Sequence, residues 1–502
     1  RHTYSRSDQF GSRTASVLNL KGKILMEKIL PKSVLESFPA VDEKAVDALL
    51  ADEIAAENTK IVVLDDDPTG VQTVHDISVY TDWEPESLRA GFDEDNKVFY
   101  VLTNSRGMTV DETTKAHKEI GARVAQAAKE TGRPYLIMSR SDSTLRGHYP
   151  IEPALLRDEM EKDGFHVDGE VLTPFFKEGG RFTIGNTHYV LQGDELVPAA
   201  MTEFAQDKTF GYKHSNIPEY IEEKTKGEYK AEDVVCISLD SLRACDYDGI
   251  EKQLESVHDF GKVVVNAIDY CDIKVFAVAL YRAMAKGKTF MFRTAAGLVK
   301  VLGGISDIPL LTREDMVTEQ TGRGGIVVVG SHTQKTTAQL EELLKLDNVV
   351  PVAFDSNKVL DGDEAFYNEV DRCVALEEAA MDDGKTAVCY TDRKLLSLDD
   401  DTKESALLRS VKISDGVQSL VGRLKKTPAF VIAKGGITSS DVGTKALSVK
   451  RADVLGQICP GIPVWQTGEE SRFPKTPYVI FPGNTGNENT LREAVEILTA
   501  KE

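Results

Sequence analysis

The sequence predicts an α/β protein of two domains, each a mostly parallel sheet flanked by helices. Three observations predict it. Short apolar runs of strand type alternate with amphipathic stretches along most of the chain, which is how parallel strands and their covering helices read. The alternation stops at a polar, glycine-bearing segment, Pro309 to Gly325, and starts afresh after it. The chain has 502 residues, of which 41% are hydrophobic, enough to fill more than one core.

The expected boundaries follow from these breaks. Residues 1–32 read as an N-terminal extension, foreign to the fold or disordered, with Met26 a candidate natural start. Residues 33–310 form a first α/β domain, 311–325 a junction, and 326–502 a second α/β domain. In the first domain, helical spacing through Val46, Leu49, Leu50 and Ile54 precedes Ile61-Val62-Val63-Leu64, a buried strand. That strand ends in Asp65-Asp66-Asp67-Pro68-Thr69-Gly70. Three adjacent carboxylates repel one another and lose hydration there, so they call for cations or hydrogen-bond donors. A surface turn is the alternative, and Pro-Thr-Gly would fit one. The position favours a ligand, because ligands of parallel sheets bind beyond the carboxyl ends of strands.

Ile77–Tyr80 and Val98–Leu102 read as further strands, the second ending in Thr103-Asn104-Ser105-Arg106, and Asp111 to Lys129 as a helix. Tyr135–Met138 is another buried strand, opening onto Ser139-Arg140-Ser141-Asp142-Ser143-Thr144-Leu145-Arg146-Gly147. Two arginines, an aspartate and four hydroxyls fall within eight residues. The planar fork of arginine grips a carboxylate at two points, while Asp142 and Ser143 can exchange hydrogen bonds with a polyol. The ensemble suits a small hydroxylated acid; a solvated, salt-bridged loop is the alternative. Arg181, in a Gly-Arg turn, is a second candidate anchor for an acid group. Strands at 233–239, 263–268 and 289–293 and helices at 250–257 and 273–285 complete this half.

In the second half three segments share one grammar: apolar strand, turn of glycine with hydroxyl or amide side chains, helix. They are Ile326–Val329 before Gly330-Ser331-His332-Thr333, Phe430–Ala433 before Lys434-Gly435-Gly436-Ile437-Thr438, and Val479–Phe481 before Pro482-Gly483-Asn484-Thr485-Gly486. Thr438 to Asp441 read as hydroxyls and a cap for a helix opening at Val442 to Leu447. Bare N–H groups in such turns and the positive helix end favour an anion, here the phosphate chain of a nucleotide. Ordinary tight turns are the alternative. Neither a P-loop GxxxxGK[ST] nor a GxGxxG dinucleotide fingerprint is present.

Composition narrows the partners. A formal charge of −21 argues against nucleic acid and anionic membranes, and an anionic ligand would need local arginines. Six cysteines without a CxxC pair are expected to be reduced thiols, so the protein is expected to be cytoplasmic. The histidines show no metal-ligand spacing, which leaves any metal ligands unknown, and a homodimer is left open.

Taken together, Asp66-Asp67-Pro68-Thr69-Gly70, SRSDSTLRG at 139–147, Ser331, Gly435-Gly436-Ile437-Thr438-Ser439 and Gly483-Asn484-Thr485-Gly486 resemble the four-carbon acid sugar kinase family. The resemblance implies an N-terminal substrate domain, a C-terminal nucleotide domain and an active site in the cleft between them. It also implies an ATP-dependent kinase for threonate, erythronate or an oxo-tetronate, working with Mg²⁺. On it, Asp66, Asp67, Arg140, Asp142, Ser143 and Arg146 would line the sugar-acid site. Ser331, Gly435, Gly436, Ile437, Thr438, Gly483, Asn484 and Gly486 would hold ATP. Asp67, with Asp66 as alternate, would orient the attacking hydroxyl or accept its proton. Arg140 and Arg146 would bind the substrate carboxylate or steady the transferred phosphoryl. An NAD(P)-dependent hydroxy-acid oxidoreductase and a non-catalytic two-lobed sugar-acid-binding protein are the alternatives.

Overall fold

The structure, a computed structural model, describes residues 15–18 and 24–500. Residues 1–14 and 19–23 of the expected extension lie outside the described residues. Strand β1 (Ala15–Leu18) pairs with β2 (Ile24–Glu27), and β3 (Leu30–Pro31) follows. The N-terminal block then contributes β4 (Lys60–Asp65), β5 (Ile77–Tyr80), β6 (Val98–Leu102), β7 (Tyr135–Arg140) and β8 (Gly169–Thr173). An excursion of three short strands, β9 (Arg181–Ile184), β10 (Thr187–Gln192) and β11 (Glu195–Pro198), interrupts it, and β12 (Val235–Ile237), β13 (Gly261–Val265) and β14 (Phe290–Thr294) complete it. The C-terminal block is β15 (Ile326–Val329), β16 (Val349–Phe354), β17 (Thr386–Thr391), β18 (Val431–Lys434), β19 (Arg451–Cys459), β20 (Ile462–Thr467) and β21 (Pro477–Phe481).

The two expected parallel blocks are both present, and they are fused. Fifteen strands form one sheet in the order β12-β13-β8-β14-β7-β4-β6-β5-β19-β20-β21-β18-β15-β17-β16. All pairings from β12 to β5 are parallel, as are those from β21 to β16. The antiparallel strands β19 and β20 splice them, with Arg451–Val454 of β19 lying against Ile77–Tyr80 of β5. The splice was not legible because β19 reads Arg-Ala-Asp-Val-Leu-Gly-Gln, a weak strand pattern interrupted by glycine.

Alternation within each strand explains the layers. Ile61, Val63, Tyr100, Met138 and Phe292 point to one face, and Val62, Leu64, Phe99, Ile137 and Met291 to the other. The first face continues without interruption into Ile326, Val328, Val431 and Ala433 of the C-terminal block, so one core spans both blocks. On the other face each block has its own core. Strands β9–β11 build a separate antiparallel sheet with β3. The Glu27 carboxylate accepts from the Ser215 amide at 3.0 Å and its hydroxyl at 2.7 Å. The last residues of the expected extension, 27–32, are therefore built into the N-terminal lobe. Among the described residues no helix is long and apolar enough to cross a membrane.

Candidate functional site

Parallel strands deliver their carboxyl ends to one edge, and on adjacent strands β14, β7, β4 and β6 those ends carry Thr294, Arg140, Asp65 and Leu102. The acidic triplet after β4 and the polar loop after β7 are thus neighbours. The cation that organises them is Arg106, which follows β6. Its Nη2 and Nε donate to Asp66 at 2.7 and 3.2 Å. Its Nη1 lies 3.6 Å from Asp67 Oδ2 and 4.0 Å from Asp142 Oδ1. Arg106 was not among the site residues read from the sequence. Its position at the end of a buried strand, in the same grammar as the others, was the available signal.

The remaining groups are paired around it. Arg140 Nη1 donates to Asp65 at 3.2 Å and sits 3.8 Å from Asp66. Burial, with the repulsion of Asp66 and Asp67, pushes the Asp65 carboxyl up to about 7 against the pull of Arg140. Burial raises Asp66 too, against Arg106. Asp67 differs: burial works against its charge, but Arg106 and donation from the Thr69 amide at 2.9 Å and hydroxyl at 2.6 Å outweigh it and hold the carboxyl below its usual range. Asp67 is therefore ionised. Asp142 is held low in the same way by Arg146, whose Nε donates to it at 2.7 Å, and by Arg106. Asp142 is occupied by arginines rather than presented free. The buried Ser143 contributes its carbonyl, which lies 2.6 Å from His188 Nε2.

Gly147, at φ +111°, closes the loop. A methyl there would stand 2.8 Å from Arg293 Nη2 and 3.2 Å from Asp66 Oδ2. Arg293, on β14, pairs with Glu152 at 2.5 Å and was also missed. Arg146 and Arg181 lie over the Phe204 ring, 5.0 and 5.6 Å from its centroid. Arg181 pairs with no carboxylate among the described residues, its Nη1 donating only to the Gly179 carbonyl. Arg140 Nε, Arg181 Nε and Arg293 Nη2 are buried without a hydrogen-bond partner among the described residues. Such groups gain most from an oxygen-rich ligand.

The second half-site lies on the C-terminal block, where β21, β18, β15 and β17 are adjacent and parallel. The loops after the first three meet. A methyl at Gly435 would stand 3.2 Å from Ser331 Cβ, one at Gly330 2.1 Å from Thr438 Oγ1, and one at Gly483 3.5 Å from Ser331 Oγ. Thr336 Oγ1 donates to the Gly483 carbonyl at 3.3 Å and Lys335 Nζ to the Asn484 carbonyl at 3.2 Å. Gly486 has φ +81° and leaves no room for a side chain beside Thr490. The helix after β18 begins at Gly436, earlier than its sequence indicates, because Gly435 at φ +117° turns the chain straight out of the strand. Thr438 to Asp441 are accordingly helical residues and not the cap. The Ile437 side chain is 73% exposed, so this residue offers its backbone and an open apolar surface. Arg393, after β17, donates to the Ser331 carbonyl and was not anticipated.

The two half-sites touch. A methyl on Gly436 would stand 3.2 Å from Asp67 Oδ2. Gln72 Nε2, just past the acidic triplet, donates to the Gly461 carbonyl at 3.0 Å, and Gly461 in turn packs beside Thr485. Among the described residues no group of three or more His, Cys, Asp or Glu side chains is placed to hold a metal ion.

Residues 61–302 match the family model of a sugar-binding N-terminal domain, and residues 326–491 match that of a nucleotide-binding C-terminal domain. The chain belongs to the family with the four-carbon acid sugar kinase architecture. No curated protein matches the chain. Among solved structures it is similar to the Haemophilus influenzae protein HI1011, at 19% identity and a TM-score of 0.58, covering 87% of this chain and 100% of that one. It is also similar to a Salmonella typhimurium LT2 protein provisionally named a tRNA synthase, at 15% identity and a TM-score of 0.62, covering 87% and 98%. At these identities the likeness shows the fold alone. In the terms of the family, the acidic triplet and Arg106 stand on the sugar-binding domain, and the three glycine loops on the nucleotide-binding domain.

Proposed function

We propose that the protein is an ATP-dependent kinase that phosphorylates a hydroxyl of a four-carbon sugar acid of the threonate, erythronate or oxo-tetronate type. The observation that carries this is the approach of Asp67 to Gly436. An ionised carboxylate from the sugar-binding domain stands against the glycine loop of the nucleotide-binding domain, where an acceptor hydroxyl and a γ-phosphoryl would have to meet. Phosphoryl transfer asks mainly for such positioning and for charge stabilisation. We place the sugar-acid domain at 33–310, with residues 27–32 packed onto it, the junction at 311–325 and the nucleotide domain at 326–502.

In this mechanism Asp67 accepts a hydrogen bond from the attacking hydroxyl, aligns it and takes its proton as the oxygen–phosphorus bond forms and the bond from the γ-phosphorus to the β,γ-bridging oxygen breaks, releasing ADP. Arg106 holds Asp67 and Asp66 in place. Arg146 and Arg181, ranged over Phe204, receive the substrate carboxylate, and Arg140 supports the acidic triplet. N–H groups at 436–438, 332–333 and 483–486 receive the phosphates, while those of Gly435 and Ser331 donate to the Phe481 and Lys434 carbonyls. Asp65, Asp66, Asp67 and Asp142 lie against arginines, and among the described residues no group of three or more His, Cys, Asp or Glu side chains is placed to hold a metal ion. Mg²⁺ would enter with the nucleotide, held by the phosphates rather than by side chains of the site, and would supply neutralisation of the charge developing on the transferred phosphoryl.

The test is ADP release with ATP and Mg²⁺ across D- and L-threonate, D- and L-erythronate and their 2- and 3-oxo forms. Turnover with one or two members is expected. Silence across the panel while ATP binds by calorimetry would overturn the acceptor assignment, and NAD(P) reduction with the same acids would replace it with the oxidoreductase.

A further inference from the structure

Lys434 is the last residue of β18 and immediately precedes Gly435-Gly436. It is fully buried, at 0% exposure. Its Nζ donates to the Pro482 carbonyl at 2.6 Å and the Gly483 carbonyl at 3.2 Å, and stands 4.2 Å from the centroid of Phe481. No carboxylate pairs with it among the described residues. The charged group that faces it is Lys335, on the helix Gln334–Leu343. A buried ammonium without a counter-charge is costly, and retention of one between two ligand loops calls for a reason.

We propose that Lys434 is a positioning residue of the nucleotide site: it ties the loop after β21 to the loop after β18, and a bound phosphate supplies the counter-charge that the protein withholds. This rests on the reading of the glycine loops as the phosphate site. Hydrogen-bond arithmetic supports it. A neutral amine has two N–H bonds, and the two carbonyls take both. The ammonium has a third, which no acceptor among the described residues takes up and a phosphate oxygen would. Burial, and secondarily Lys335, pushes the Lys434 amine down to about 7, so at pH 8 the free protein holds it mostly neutral. An adjacent phosphate favours the charged form and raises that value. Nucleotide binding is then accompanied by proton uptake at Lys434, and the proton completes the contact between the two loops and the ligand.

The test is calorimetric titration of the full chain with ADP, without metal, in HEPES and in Tris from pH 6 to pH 8.5. The difference in apparent enthalpy between buffers gives the protons exchanged. Wild type is expected to take up most of one proton per ADP at pH 8, falling toward none at pH 6, where the amine is already charged. Lys434→Met is expected to lose the uptake and to bind ADP at least about tenfold more weakly, since a buried charge-assisted contact is gone. Lys434→Arg, which stays charged, is expected to bind without uptake. Wild-type binding with no uptake at pH 8 overturns the inference while leaving the nucleotide site standing, and so does full uptake in Lys434→Met. The wild-type profile decides the matter even if the methionine variant does not fold. Absence of ADP and ATP binding at every pH would overturn both this inference and the reading on which it rests.

Discussion

Arg106 carries more of the sugar-binding half-site than any other side chain, because Asp66, Asp67 and Asp142 all face it. Replacing it with methionine leaves Asp66 with Arg140 at 3.8 Å as its nearest cation. Breaking one side of a buried ion pair strands the other charge, so Arg106→Met should lose about 3–5 kcal/mol of stability, read as a lowered urea midpoint. Arg106→Lys should recover only part of this, since an ammonium cannot make the two-point grip on Asp66. Asp65 gives a pH signature. Its carboxyl rises from an ordinary 3.8 to about 7 on folding, so between those values the folded chain keeps a proton that the unfolded chain has released. Its stability contribution is therefore full below pH 3.8 and is lost as pH rises toward 7. Asp142, held low, acts in the opposite sense and below that window. Urea midpoints of Asp65→Asn should accordingly decline less than wild type between pH 4 and 7; parallel profiles would show that Asp65 does not hold the proton. At this scale the sequence displayed the anionic residues and three of the arginines, Arg140 and Arg146 because they sit in a dense polar run and Arg181 because it follows a glycine turn. It did not display Arg106 or Arg293, each a single cation whose partners come from distant segments.

At the scale of elements, the site is a set of strand-to-helix turns whose glycines set how closely loops approach. Gly435 is the sharpest case, with φ +117° and Ser331 Cβ 3.2 Å from where a methyl would be. Gly435→Ala should therefore store about 1–3 kcal/mol of strain in the loop. We expect ADP affinity to fall by about tenfold, with the affinity for the sugar acid unchanged; an unaltered ADP isotherm would mean that this turn does not hold the phosphates. Most strands and helices of the two blocks were legible, since buried parallel strands are short, continuous apolar runs bounded by turn residues. The antiparallel parts were not. Strands β9, β10 and β19 are half-polar and β11 and β20 are short apolar stretches that carry a proline, so their identity comes from the neighbours they pair with rather than from their own periodicity.

For the whole molecule, the direction of the strands matters. Because β19 and β20 are both antiparallel to their neighbours, the five-stranded block runs opposite to the eight-stranded one. In a flat sheet their carboxyl ends would face opposite ways. Six steps separate β4 from β18, and a twist of roughly 20–25° per step turns the second block far enough for its loops to come back to Asp67. The continuous core along one face makes that geometry a property of the entire chain. A calorimetric scan should accordingly show one cooperative transition. Ala452→Pro, opposite Val79 at the splice, should remove a ladder bond from an interior strand and split the transition in two. A single unchanged transition in that variant would show that β5 and β19 do not couple the lobes. Two domains could be counted from the sequence; their fusion into one sheet could not, since strand order is a matter of tertiary pairing.

The approach of Asp67 to the Gly436 loop is best tested by turnover of Asp67→Asn with whichever sugar acid the panel identifies, alongside its ADP affinity. The amide keeps the shape and the Thr69 contact but loses the charge that aligns and deprotonates the hydroxyl. A fall in kcat of roughly 10²- to 10⁴-fold is expected, with ADP binding nearly unchanged. Turnover close to wild type would contradict it and remove Asp67 from the reaction centre.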